Sequence, residues 1–193
     1  MALDNVPLNF SCTCGEVRGV VDITALRDGA HIACFCPDCR AGELFFDQPD
    51  PAPGPVALFQ TAPDRLTFLR GQDKLGLMRL GPNGLFRWYA TCCNTPIGNT
   101  LKTHKLPFVG IPVARFAAPE RLGPVQAQGF IVTSDGKKRH KGAGRMVWRM
   151  FSRFLSAWMS GRWRNTPFFD VETGKPVAKA KIPTREERAA LYR

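Results

Sequence analysis

"ACFCPDCR", residues 33–40, places Cys34, Cys36 and Cys39 within six consecutive positions of a chain that has seven cysteines in all. Thiols this close together on a turn are an ordinary source of metal ligands, because one tight loop aims several sulfurs at a single ion about 2.3 Å away. The other four form two pairs, Cys12 and Cys14 in "CTCGEV" and Cys92 and Cys93 in "YATCCNTPIGN". Gly15 and Pro37, each directly after a cysteine, suit sharp turns. An odd number of clustered thiols argues against a disulfide framework and for metal or thiol chemistry.

The donor arithmetic then separates two sites. Four thiolates saturate a tetrahedral zinc and can only brace a fold, whereas three leave one position for water or an exogenous thiol. If Cys12, Cys14, Cys92 and Cys93 form the closed site, Cys34, Cys36 and Cys39 remain as the open one. Neighbouring residues of a regular strand point to opposite faces, so Cys92 and Cys93 share one ion only if the backbone bends sharply between them. Otherwise Cys92 is a spectator or turns toward the open site, and His104 is the alternative fourth ligand of the closed one.

At 193 residues, 44% apolar and 22% charged, the chain has the make-up of a globular protein with a real core. No stretch approaches the roughly 18 apolar residues of a membrane span. "MALDNVPLNF" lacks the basic start and apolar run of a signal peptide, so the expected compartment is the cytoplasm, where thiols stay reduced. Charge is uneven: residues 136–193 hold 15 Lys and Arg against 4 Asp and Glu, which accounts for the whole net charge of +11. That asymmetry fits a nucleic acid or a membrane surface as partner, or a solvated appendage.

From Val17 to Phe116 short apolar runs such as "HIACF", "GELFF", "VALFQT", "KLGLMRL" and "GLFRWYA" are punctuated by Gly and Pro. Their β-branched and aromatic content predicts a small antiparallel, mostly-β domain over residues 8–120. "DQPDPAPGP", residues 47–55, reads as a surface connection and "GPNG", 81–84, as a hairpin turn. Residues 121–193 read as a basic extension. In it, "MVWRMFSRFLSAWMS" predicts an amphipathic helix over about 143–160, with Val147, Phe151, Phe154 and Trp158 on one stripe and Arg145, Arg149 and Arg153 on another. The apolar stripe is expected to cover the open face of the sheet. Thr184 and Glu187 predict a capped terminal helix over about 185–192.

The cysteine motifs resemble those of the glutathione-dependent formaldehyde-activating enzymes, a family grouped with centromere protein V. Its pattern is an early C-x-C-G-x-V, a middle C-x-C-x-x-C followed by Arg, and a late C-x-x-C-G-T-P-L. The first is matched by Cys12, Cys14, Gly15 and Val17, and the second by Cys34, Cys36, Cys39 and Arg40. The third departs: "CNTPI" puts Cys93 on the last cysteine and Asn94 on the glycine, while Ala90 falls where the other cysteine stands. The resemblance spans roughly residues 8–116. It implies a β-tent-like fold, a structural zinc on the outer motifs and a catalytic zinc on the middle one. It also implies carbon-sulfur lyase chemistry on S-hydroxymethylglutathione, the adduct of formaldehyde with the thiol of glutathione. Arg40 and Arg87 are the candidates for holding an anionic substrate beside a trithiolate zinc of net negative charge.

Two other readings compete. "CPDC" also resembles the C-P-x-C motif of glutaredoxin-like proteins, but that fold needs a βαβ unit in which the motif opens a helix, and "RAGELFF" reads as a strand. Alternatively both sites only brace the β domain, and Trp148, Phe151, Trp158, Trp163 and Arg164 of the basic C-terminal part bind nucleic acid or a protein.

Overall fold

The computed structural model describes residues 6–192; residues 1–5, part of the opening read as lacking a leader, lie outside them. Along the chain run β1 (Leu8–Ser11), β2 (Arg18–Val21), α1 (Ile23–Asp28), β3 (Ala30–Cys34), α2 (Pro37–Phe45) and β4 (Val56–Thr61). There follow β5 (Leu66–Arg70), β6 (Leu75–Met78), β7 (Phe86–Ala90), β8 (Thr95–Thr100) and β9 (Val109–Pro112). The last third adds β10 (Ala127–Val132), β11 (Lys138–Lys141), α3 (Ala143–Met159), β12 (Ala180–Lys181) and α4 (Arg185–Ala190).

The described strands form two sheets, a small β1-β2-β5 and a large one in the order β11-β10-β3-β4-β9-β8-β7-β6-β12. The fold is mostly β, and the expectation of an antiparallel sheet is corrected toward both ends of the large one. There β10 runs parallel to β3 and β12 parallel to β6. Both strands arrive from the C-terminal third by long connections, which parallel pairing requires and a hairpin does not allow. The segment beyond residue 120 is thus woven into the sheet.

Its side chains also enter the core. Phe168 is fully buried, tilted against Trp88 at 5.0 Å between ring centroids and edge-on to Phe68 at 6.0 Å. Leu8, Phe10, Val21, Leu77, Ile97 and Ile111, from strands of both sheets, belong to the same cluster, as does Val17. The indole N–H of Trp88 donates to Thr100 Oγ1 at 2.9 Å, so its polar atom is satisfied without water.

"TPIGNT" carries a Pro and a Gly that disfavour a strand, yet it forms β8, paired on both sides. Pro96 lies opposite Tyr89, where the β7–β8 register shifts, which is where a strand tolerates a residue with no N–H. "RAGELFF" is corrected in the other direction. Its apolar run reads as a strand, but the segment forms α2, because helix-start signals precede it. Pro37 occupies the first turn, Asp38 adds negative charge there, and the Cys36 sulfur accepts from the Cys39 N–H at 3.3 Å.

Candidate metal centres

Two groups of cysteines each bring their sulfurs within 4.8 Å of one another: Cys12, Cys14, Cys92 and Cys93, and separately Cys34, Cys36 and Cys39. All seven are free thiols.

The four-cysteine group joins the end of β1 to the β7–β8 turn. A tight knuckle shapes its first half: Gly15 N–H donates to the Cys12 carbonyl at 3.1 Å, with Gly15 at φ +75°. Only glycine adopts that conformation without strain. The Val17 N–H then donates to Cys12 Sγ at 3.2 Å. In the second half Asn94 has φ +53°, in the left-handed region where Asn is the residue tolerated next after glycine. Residues 91–94 form the turn between β7 and β8, so the alternation of a regular strand does not apply to Cys92 and Cys93. Cys92 Sγ consequently lies 3.3 Å from Cys14, 4.0 Å from Cys12 and 3.8 Å from Cys93, with Cys12 and Cys14 3.5 Å apart.

These separations are far longer than a disulfide bond and bracket the edge of about 3.8 Å that four sulfurs at 2.3 Å around a tetrahedral ion would have. The donor set therefore fits a metal ion. Thr95 stands behind it, its hydroxyl 3.0 Å from Cys93 Sγ and 2.7 Å from that of Thr13. Burial opposes ionisation of Cys93, but hydrogen bonds from Thr13, Thr95 and the Cys14 backbone bring its thiol down to about 5. His104, the alternative ligand, belongs to neither group: its buried ring stacks on Trp163 at 5.2 Å and leans on Phe169.

The trio sits where β3 turns into α2. Cys34 and Cys39 are buried, Cys36 is half-buried, and Cys39 Sγ lies 3.5 Å from Cys34 Sγ. Thiol hydrogen bonds from Cys34 and Cys39, helped by the Cys39 N–H and the charge of Arg87, bring Cys36 down to about 2 despite burial. Its two neighbours move the other way: Cys39 is pushed well up by Cys34, Cys36 and burial, and Cys34 is raised chiefly by Cys36. One sulfur of the three thus carries the first negative charge, the state from which a metal-binding thiolate set is built.

The two candidate arginines part company. Arg87 of β7 is buried, donating to the Asp38 carbonyl at 2.8 Å and to Asn99 Oδ1 at 3.4 Å. Gly42 admits it under α2, since a Cβ there would stand 2.7 Å from Arg87 Nη1. Arg40 instead lines a cleft of about 430 Å³ in front of Cys34 and Cys36. It holds Asp50 through two bonds, Nε–Oδ1 at 2.8 Å and Nη2–Oδ2 at 2.7 Å, which fixes the Pro-rich connection as a cleft wall. The opposite wall includes Ile131, Val132, Leu191 and Tyr192. None of these was singled out from the sequence, because they carry no local motif and reach the cleft only through the fold.

Residues 3–181 match a family described as a family of unknown function, DUF6151. The chain belongs to the DUF6151 family. No curated protein matches it. A structural-genomics crystal structure of a Rhodobacter sphaeroides protein is similar at 20% identity, over 61% of the DUF6151 chain and 96% of its own, with a TM-score of 0.42. In this DUF6151 protein the C-P-D-C segment does open a helix, unlike the expectation, but the strands flanking it, β3 and β4, run antiparallel. The βαβ unit of a glutaredoxin-like site is therefore lacking here.

Proposed function

We propose that both cysteine groups bind zinc, the four-cysteine group as a structural site and the trio as an open catalytic one. On this reading the protein acts as a carbon-sulfur lyase-like enzyme on a thiol–aldehyde adduct such as S-hydroxymethylglutathione. One observation carries the reading: the trio offers one sulfur fewer than a closed shell, and a cleft of small-molecule size lies in front of Cys34 and Cys36. The matched C-x-C-G-x-V and C-x-C-x-x-C-R motifs supply the substrate class.

When bound at the trio, zinc would supply Lewis acidity toward a thiolate sulfur. The chain's own residues do the rest. Cys34, Cys36 and Cys39 hold the ion. Arg87, buried behind α2, offsets the net negative charge of three thiolates on a divalent ion. Arg40, in its pair with Asp50, and the Pro51–Gly54 wall that this pair fixes shape the cleft and orient a substrate in it. In the cleaving direction the carbon–sulfur bond of the adduct breaks and the sulfur keeps the electron pair. The hydroxyl oxygen forms the carbonyl, and its proton leaves for water. The cytoplasm is the compartment in which such thiols are abundant and cysteines stay reduced.

Metal analysis of protein prepared without chelator, combined with the rate of exchange between formaldehyde and glutathione, tests the proposal. Two zinc ions per chain and accelerated exchange are expected, with exchange lost and folding kept in Cys36→Ser. A wild-type protein that leaves the exchange rate unchanged would refute the activity, and one lacking zinc would refute the site.

A further inference from the structure

Helix α3 does not sit as its pattern predicts. Its inner face is made by Ala157, which is fully buried, by Met146 packed on the cluster of Ile32 and Leu58, and by the two arginines Arg149 and Arg153. Of the expected stripe only Phe154 turns inward, while Val147, Phe151 and Trp158 stay about half exposed. The outer face carries Trp148, Phe151, Leu155 and Met159, exposed by 68, 55, 50 and 81%. At spacings of three and four residues these form one continuous apolar stripe from Trp148 to the end of the helix. Among the described residues nothing covers it.

Beneath the helix lies a cavity of about 290 Å³ whose lining includes Arg65, Arg149, Arg153 and Arg162 against only Asp28 and Asp64. Asp64 is already shared by Arg162 at 2.9 Å and Arg65 at 3.5 Å. Arg149 and Arg153, one turn apart, have neutral partners: Arg149 donates to the Gly29 carbonyl and the Gln126 side chain, and Arg153 donates to the Asp28 carbonyl at 2.7 Å. Nη2 of Arg153 and the hydroxyl of Thr61, itself 1% exposed, are buried with no partner among the described residues. Burial and the neighbouring Arg149 hold the Arg153 guanidinium down to about 10, with Asp28 only partly offsetting them. Two adjacent guanidinium groups and an unpartnered N–H in a roomy polar cavity make a receptor for an oxyanion, above all a phosphate. Ser152 and Ser156 line both this cavity and the apolar face.

We propose that α3 is a docking surface for an anionic phospholipid bilayer, its Trp148–Met159 stripe entering the acyl boundary and a lipid phosphate entering the arginine cavity. Charge complementarity selects this occupant. All four residues of β11, Lys138–Lys141, are exposed immediately before the helix, as are Lys137 and, in its first turn, Arg145. The whole net charge of +11 lies in residues 136–193. An apolar helical face flanked by basic residues lies in the plane of a bilayer surface, and among the described residues no helix is long and apolar enough to cross one. A second copy docked on the same face would bring two such basic segments together, which like-charge repulsion opposes. Single-stranded nucleic acid is read by aromatics interleaved with arginine, whereas this stripe continues into Leu155 and Met159, and the two arginines nearest it, Arg149 and Arg153, line the inner cavity.

Flotation of the full chain with vesicles tests the proposal. Vesicles of phosphatidylcholine mixed with phosphatidylglycerol should bind at least about tenfold more tightly than phosphatidylcholine alone, and added salt should weaken binding. The double substitution Trp148→Ser and Phe151→Ser, at exposed positions that leave the melting temperature unchanged, should lower vesicle binding by about tenfold or more. Arg153→Met should reduce the preference for the anionic lipid. Absence of binding to anionic vesicles, or binding that the double variant retains in full, would overturn the proposal. So would a lipid-free dimer that the double variant dissociates, an oligonucleotide bound more tightly through the same residues, or saturable uptake of inorganic phosphate without any vesicle binding.

Discussion

The guanidinium of Arg87 donates to the main-chain carbonyl of Asp38, 2.8 Å away, so a strand in the middle of the chain is fastened to the first turn of α2 between two thiols of the trio. Arg87 thereby both holds the turn that aims Cys36 and Cys39 and places a buried positive charge behind their sulfurs.

Arg87→Met should therefore weaken metal binding at the trio by about 10–100-fold, as loss of a supporting contact behind the ligands does elsewhere. Competition with a chromogenic chelator would resolve the two sites. Equal weakening of both, or of neither, would show that Arg87 does not act on the trio.

Removal of metal should reveal the different burdens of the two groups. Cys12→Ser would break the proposed zinc shell between β1 and the β7–β8 turn, and its melting temperature should fall well below that of Cys36→Ser. Because thiolates must be deprotonated to bind, acid should release metal from both, and chelator should reproduce the Cys12→Ser melting curve in the wild type.

Phe168→Ala should cost about 3–5 kcal/mol, the range for deleting a large aromatic from a packed core. Urea denaturation measures it directly. A loss near zero would mean that the last third of the chain rests on the core without supporting it.

Glu43 is pushed up from its usual carboxylate range by burial, against the opposing charges of Arg115 and Arg87. A carboxyl whose native pKa lies above its unfolded value adds stability that is fully present below about 4.3 and is lost as pH rises through the native pKa. Glu43→Gln, which stays neutral, should match the wild type near pH 4 and exceed it in stability at pH 7. Parallel pH profiles for the two proteins would rule this out.

The cysteine groups were legible in the sequence because their donors are local: two knuckles and a trio announce themselves by spacing. What remained hidden is long-range. Nothing near Asp38 marks Tyr192 as the residue whose hydroxyl reaches its Oδ1 at 2.6 Å. The strand reading of "GELFF" failed because apolar content outweighed the Pro37 and Cys36 start signals, and β8 is hard to see because Pro96 is tolerated only at a register shift that no local pattern announces. Periodicity located α3 within a residue, at Ala143–Met159, yet misjudged its rotation. A wide apolar arc does not say which part of itself will meet the body, and arginines with backbone carbonyls to bond are free to face inward.

The contact between Asp38 and Tyr192 joins positions 154 residues apart, whereas Cys14 and Cys92 are separated by 78. A chain emerging from the ribosome would therefore have all four sulfurs of the first group in hand long before the last wall of the cleft exists. Vectorial synthesis thus orders the two events, bracing first and enclosure last, and a nascent fragment ending short of Leu191 would leave the trio in a cleft lacking its last wall.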